Sequence, residues 1–178
     1  MWSYRNVLIN VFLLFLLVTL LCSLQSTFWR LLFGAVASPL PWLNVMLYLL
    51  LFRKPVHAIF LNYSLALVLH AFSAIPLGIL LTVIGINTAL GSYIRQRFFW
   101  PSTRYFVIAS FLFTLLFHIS LWIASQALED NSANLNFMTR SLEVVLTMLT
   151  AAPIYWVLSI LDRLTQIELV PESSGVHE

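Results

Sequence analysis

The chain has 178 residues, of which 61% are hydrophobic and only 9% charged, against roughly 45–50% and 25% in soluble domains. So little polar surface excludes a water-soluble globule, and the abundance of apolar and aromatic groups excludes a disordered chain. The net charge of +2 gives no footprint for nucleic acid, and the single cysteine, Cys22, excludes an internal disulfide framework and a cysteine-rich metal site. The composition is that of an all-helical integral membrane protein.

A membrane-crossing helix needs about 20 mostly apolar residues. Six segments are expected to cross, at about 7–24, 41–52, 56–74, 76–94, 104–127 and 137–161. The first carries Asn10 as its one strongly polar interruption. It reads as a retained span rather than a cleaved signal peptide, because Thr19-Leu20-Leu21 before Cys22 lacks the small residues that cleavage prefers. The next stretch, 25–38, contains Phe28, Trp29, Leu31, Leu32 and Phe33 and is too apolar for a free loop. It is expected to lie at the membrane interface, where tryptophan is favoured. Trp29 and Phe33 are thereby the candidate partner surface.

The second span, 41–52, is short, with 37–40 leading into it. The third and fourth are nearly continuous, and Pro76 marks the break, since it lacks an N–H and suits the first turn of a helix. The fourth carries Gly78, Thr82, Gly85, Ala89 and Ser92 at steps of four and three, a small-residue face that lets a neighbouring helix come close. Internal packing is the favoured reading of this face, and a docking groove the second. The sixth span contains Pro153, where a bend is expected, and 129–134 reads as a polar turn. Residues 164–178 read as a flexible tail, so any function must come from the bundle and its short loops.

Lys and Arg concentrate in cytoplasmic segments. With the N-terminus inside, Arg5, Arg53, Lys54, Arg95, Arg97, Arg104 and Arg163 fall inside, and only Arg30 and Arg140 outside. The expectation is an inner-membrane protein with both termini cytoplasmic.

Helical spacing places Asn62, Ala66, His70 and Ser73 on one face, Ser110, Thr114 and His118 on another, and Glu143, Thr147 and Thr150 on a third. By depth, His70, His118 and Glu143 come out at nearly one level, so the three faces are expected to converge as an intramembrane polar cluster. No HExxH motif, Ser-x-x-Lys pair, phosphate loop or catalytic triad occurs. Structural hydrogen bonding is therefore favoured over a ligand or ion pathway, and both over catalysis or metal binding. No catalytic residue, metal ligand or cofactor is expected.

The stretch 41–50 followed by Arg53-Lys54, and the junction His70-Ala71-Phe72-Ser73-Ala74-Ile75-Pro76-Leu77-Gly78, carry a resemblance. They resemble the rod shape-determining protein MreD family, whose hairpin here commonly reads Asp-x-x-Ser-Gly-x-x-Leu-Gly. Ser73, Leu77 and Gly78 match, while His70 stands at the usual Asp and Ala74 at the usual Gly. Tyr93 falls where the following helix often carries an aromatic, and 152–158 before Arg163 is similar to the family's last helix. The resemblance implies a non-enzymatic scaffold of the bacterial cell-elongation machinery. Its partner would be an MreC-like membrane protein, and through it MreB, RodA and the elongation penicillin-binding protein. It also implies a fold similar to the substrate-binding subunits of energy-coupling factor transporters, which supply the alternative function of vitamin binding. Such a subunit would carry an Ala-x-x-x-Ala face on its first helix, and 5–22 contains no alanine.

Overall fold

The computed structural model describes residues 4–34, 36–98, 102–128 and 136–165. The described chain is all-helical: α1 (Tyr4–Ser23), a π-helical stretch (Leu24–Trp29), α2 (Arg30–Phe33), α3 (Pro41–Phe52), α4 (Pro55–Phe72), α5 (Leu77–Phe98), α6 (Thr103–Leu128) and α7 (Phe137–Leu164). Five helices among the described residues are long and apolar enough to cross a membrane, and they make the chain a multi-pass membrane protein. The expected sixth span is α3, only 12 residues long.

Every residue of α3 is buried, which explains its composition. A helix that is apolar all round belongs in a core, not against water. At 1.5 Å per residue α3 covers about 18 Å, well short of the roughly 30 Å hydrocarbon thickness. Residues 37–40 approach it without helical structure. Non-helical backbone at membrane depth is tolerable where protein covers it, and Ala37 and Pro39 are indeed buried. Pro41 starts the helix, and the Leu40 N–H donates to Thr147 Oγ1 at 2.9 Å. At the other end Arg95 donates to the carbonyls of Leu50 and Arg53, placing a cation on the orphan acceptors of a helix C-terminus.

The long helices surround α3. Tyr48 of α3 stacks edge-on with Phe106 of α6 and Tyr155 of α7, and Trp42 meets Phe117 in the same manner. The starts of α1, α4 and α6 and the ends of α3, α5 and α7 share one end of the bundle. Seven of the nine basic residues therefore lie at this end, called here the Arg53 end. Arg30 and Arg140 lie at the opposite, Arg140 end.

Two boundaries differ from the sequence reading. The apolar stretch after the first span does not form a separate interfacial segment: helical structure runs on to Phe33 and stops at Gly34, whose φ of 61° ends it. No proline or glycine interrupts 5–33, so nothing breaks the helix earlier. Leu164 and Thr165 are not tail, because α7 includes Leu164 and Thr165 is buried against Asn10. The expected polar turn at 129–134 and the tail beyond 165 lie outside the described residues.

Candidate functional site

The polar groups gather in two places. At the Arg53 end, Asp162 of α7 is 3% exposed and its carboxylate accepts from three side-chain donors, one on α1 and two on α3 and its C-cap. Arg53 pairs with its Oδ1, Asn10 Nδ2 donates to the same oxygen at 3.2 Å, and the Tyr48 hydroxyl donates to Oδ2 at 2.9 Å. Asn10 also donates to Thr165 Oγ1 at 2.8 Å and accepts from Arg53 Nη2 at 3.2 Å. The network ties α1, α3 and α7 together around one buried carboxylate. A buried ion pair is tolerable when additional hydrogen bonds satisfy its remaining lone pairs and protons, and Asp162 meets that condition.

A second buried knot lies deeper. Asn44 of α3 donates to the Thr147 carbonyl at 2.9 Å and to Thr150 Oγ1 at 3.1 Å, and accepts from Ser110 of α6. Asn87 of α5 likewise donates to Ser120 Oγ of α6 at 2.8 Å. Each of these amides joins two or three helices where hydrocarbon would otherwise strand it.

At the Arg140 end a cavity of about 690 Å³ opens between the ends of the helices. Its walls carry Arg30, Arg140, Glu143, Gln25 and Ser125 among polar groups, and Trp42, Phe72 and Phe117 among apolar ones. Glu143 Oε2 accepts from Arg140 at 2.9 Å and lies 3.4 Å from His118 Nε2. That approach is not aligned for a hydrogen bond, so both ring nitrogens of the buried His118 lack a hydrogen-bond partner.

The sequence therefore places His118 and Glu143 correctly together, but not His70. His70 is exposed, and its Nδ1 contacts the Ile75 carbonyl at 3.2 Å. The buried stripe of α4 runs Ala58, Leu61, Asn62, Leu65, Ala66, Leu69. Its step from Ala66 is to Leu69, which rotates His70 out of the interior. The three-member cluster is corrected to a pair. Ser73, of the same hairpin, lines the cavity, and its hydroxyl accepts from the Ile75 N–H at 3.0 Å. Pro76 precedes α5, which begins at Leu77, with Gly78 exposed in its first turn.

The small-residue face of α5 is also corrected. Gly78, Thr82 and Ala89 are exposed, Gly85 and Ser92 half-buried. The packed face instead carries Ile79, Leu80, Val83, Ile84, Asn87, Thr88 and Gly91. Large apolar side chains interlock with the core on that face, and in lipid it is such packing, not burial from water, that holds helices together. Of the two glycines on the small-residue face, a Cβ at Gly78 would meet open space and one at Gly85 the hydroxyl end of Tyr63, whereas a Cβ at Gly91 would run into Leu50. Trp29 and Phe33 stack with ring centroids 4.4 Å apart, and the Trp29 indole donates to the Val36 carbonyl at 3.3 Å.

Sequence reasoning missed the Asp162 network. The available signal was a carboxylate lying just inside the end of an apolar helix, an expensive place for it without a partner. Among the described residues no group of three His, Cys, Asp or Glu could hold a metal ion. No protein-family model, curated protein or solved structure matches the chain.

Proposed function

We propose that the chain is a membrane scaffold without chemistry of its own, acting at the bacterial inner membrane in cell elongation through an MreC-like partner. The family assignment rests on the resemblance of the 70–78 junction and the 41–54 stretch. The observation that carries a docking role is the length of the first helical rod. Residues 5–33 form 29 helical residues, about 43 Å at 1.5 Å each. A span tilted by the usual ~20° crosses the roughly 30 Å core with about 10 Å to spare. The excess carries Leu31, Leu32 and Phe33, which are 81%, 56% and 49% exposed. Apolar side chains held beyond the hydrocarbon call for a protein partner. With the basic end cytoplasmic, that surface faces outward and both termini lie inside.

The test is recovery of an MreC-like protein with the tagged chain from bacterial membranes. Leu31→Asn and Phe33→Asn should each reduce recovery severalfold while insertion and thermal stability stay unchanged. Undiminished recovery in both variants, or no such partner with the unaltered chain, would remove the proposal.

The cavity favours one second reading, a substrate-binding subunit of an energy-coupling factor transporter, because such a subunit needs an outward pocket in a helical bundle. The absence of alanine from 5–22 counts against it. Co-purification of a transporter ATPase instead of an MreC-like protein would decide for it.

A further inference from the structure

The polar cavity does not stand alone. Beside it an apolar groove of about 420 Å³ runs between α1 and α7. Leu17, Leu21 and Phe28 wall it on one side, and Pro153, Ile154 and Val157 on the other. Gln25 lines both spaces, and its amide donates to Ser38 Oγ at 3.2 Å. A polar compartment at the membrane surface thus adjoins an apolar one within the membrane.

Charge and depth both constrain what would fill them. The cavity holds two guanidinium groups and one carboxylate. Glu143 is paired with Arg140, while no carboxylate among the described residues pairs with Arg30. The balance is positive, and guanidinium groups suit phosphate oxygens. From Arg30 inward to Leu17 is 13 residues, about 20 Å along a helix. Half of a roughly 30 Å hydrocarbon core is about 15 Å, so the groove spans one leaflet below the arginines. Its volume suits an alkyl chain and not a helix, since a rod 18 Å long and 10 Å across fills roughly 1,400 Å³.

We propose that the Arg140 end binds an anionic glycerophospholipid, with the headgroup phosphate at Arg30 and Arg140 and one acyl chain in the α1–α7 groove. The Arg140–Glu143 pair orients one guanidinium, and Arg30 supplies the uncompensated charge. The site stands whether or not the chain scaffolds an MreC-like partner, because it needs neither Leu31 nor Phe33.

The test uses the delipidated full chain in detergent, with phosphatidylglycerol, phosphatidylcholine of the same acyl chains, and glycerol phosphate as probes. Native mass spectrometry and the thermal midpoint are the readouts. Phosphatidylglycerol should stay bound and raise the midpoint, phosphatidylcholine should bind about tenfold more weakly, and glycerol phosphate should do nothing. Arg30→Gln, at an exposed position, should cost phosphatidylglycerol about tenfold without altering the lipid-free midpoint. Val157→Trp, which fills the groove from an exposed position, should weaken both lipids. Equal binding of the two lipids, indifference to either substitution, or a full shift with glycerol phosphate would each overturn the site.

Discussion

The two ends of the bundle use similar residues for opposite purposes. At the Arg53 end one carboxylate, one guanidinium, an asparagine and a tyrosine close on each other with almost no exposure, leaving only Arg53 Nε unpartnered. At the Arg140 end a carboxylate and two guanidiniums line a cavity, and the buried His118 beside Glu143 keeps both ring nitrogens without a hydrogen-bond partner. Hydrogen-bond satisfaction separates a fastening from an opening. A group with all its partners present holds elements in one arrangement, whereas groups short of partners leave room for something else.

Removing the centre of the closed end should have the largest effect. Asp162→Ala strands the buried Arg53 guanidinium and should cost about 3–5 kcal/mol, read as the loss of thermal stability in lipid nanodiscs. The paired change Arg53→Met with Asp162→Leu should cost less than Asp162→Ala alone, because it leaves no unpaired charge. Next comes the packing around α3. Gly91→Leu drives a side chain into Leu50 and Phe113 and should cost about 1–3 kcal/mol or more. Gly85→Leu displaces only the far end of Tyr63 and should cost less, while Gly78→Ala meets open space and should be neutral. Asn44→Ala frees the Ser110 and Thr150 hydroxyls and should cost about 1–3 kcal/mol by the same measurement. The polar groups of the open end should matter least. Glu143→Gln weakens a partly exposed pair within one helix and should change stability by under about 1 kcal/mol.

Much of this contrast was legible in the sequence. Hydropathy located the five long apolar helices among the described residues, and Pro76 marked the start of α5 because its ring fixes a helix beginning. Depth counting brought His118 and Glu143 to one level, since rise per residue is nearly invariant in a helix. Facing is harder to read when lipid and core are equally apolar. In α5 leucine and isoleucine occur on both sides, so the stripe of small residues was the only visible pattern, and it lies away from the packed face. In α4 a drift of one position turned His70 outward. The Asp162 network joins positions 10, 48, 53 and 162, and nothing in local spacing connects residues so far apart. Only the third dimension shows that the asparagine in the first span and the carboxylate in the last answer each other.

The difference between a closed and an open end can be measured directly by thiol labelling. With Cys22 replaced by alanine, single cysteines are placed at Ser73, on the cavity wall, and at Ala58, which is fully buried near the Arg53 end. Both changes are small enough to keep the fold. A charged, membrane-impermeant thiosulfonate is applied to membranes of both orientations. Ser73→Cys should react rapidly from one side only, and Ala58→Cys should stay unmodified from either. Comparable labelling at the two positions, or an inert Ser73→Cys in folded protein, would contradict the account.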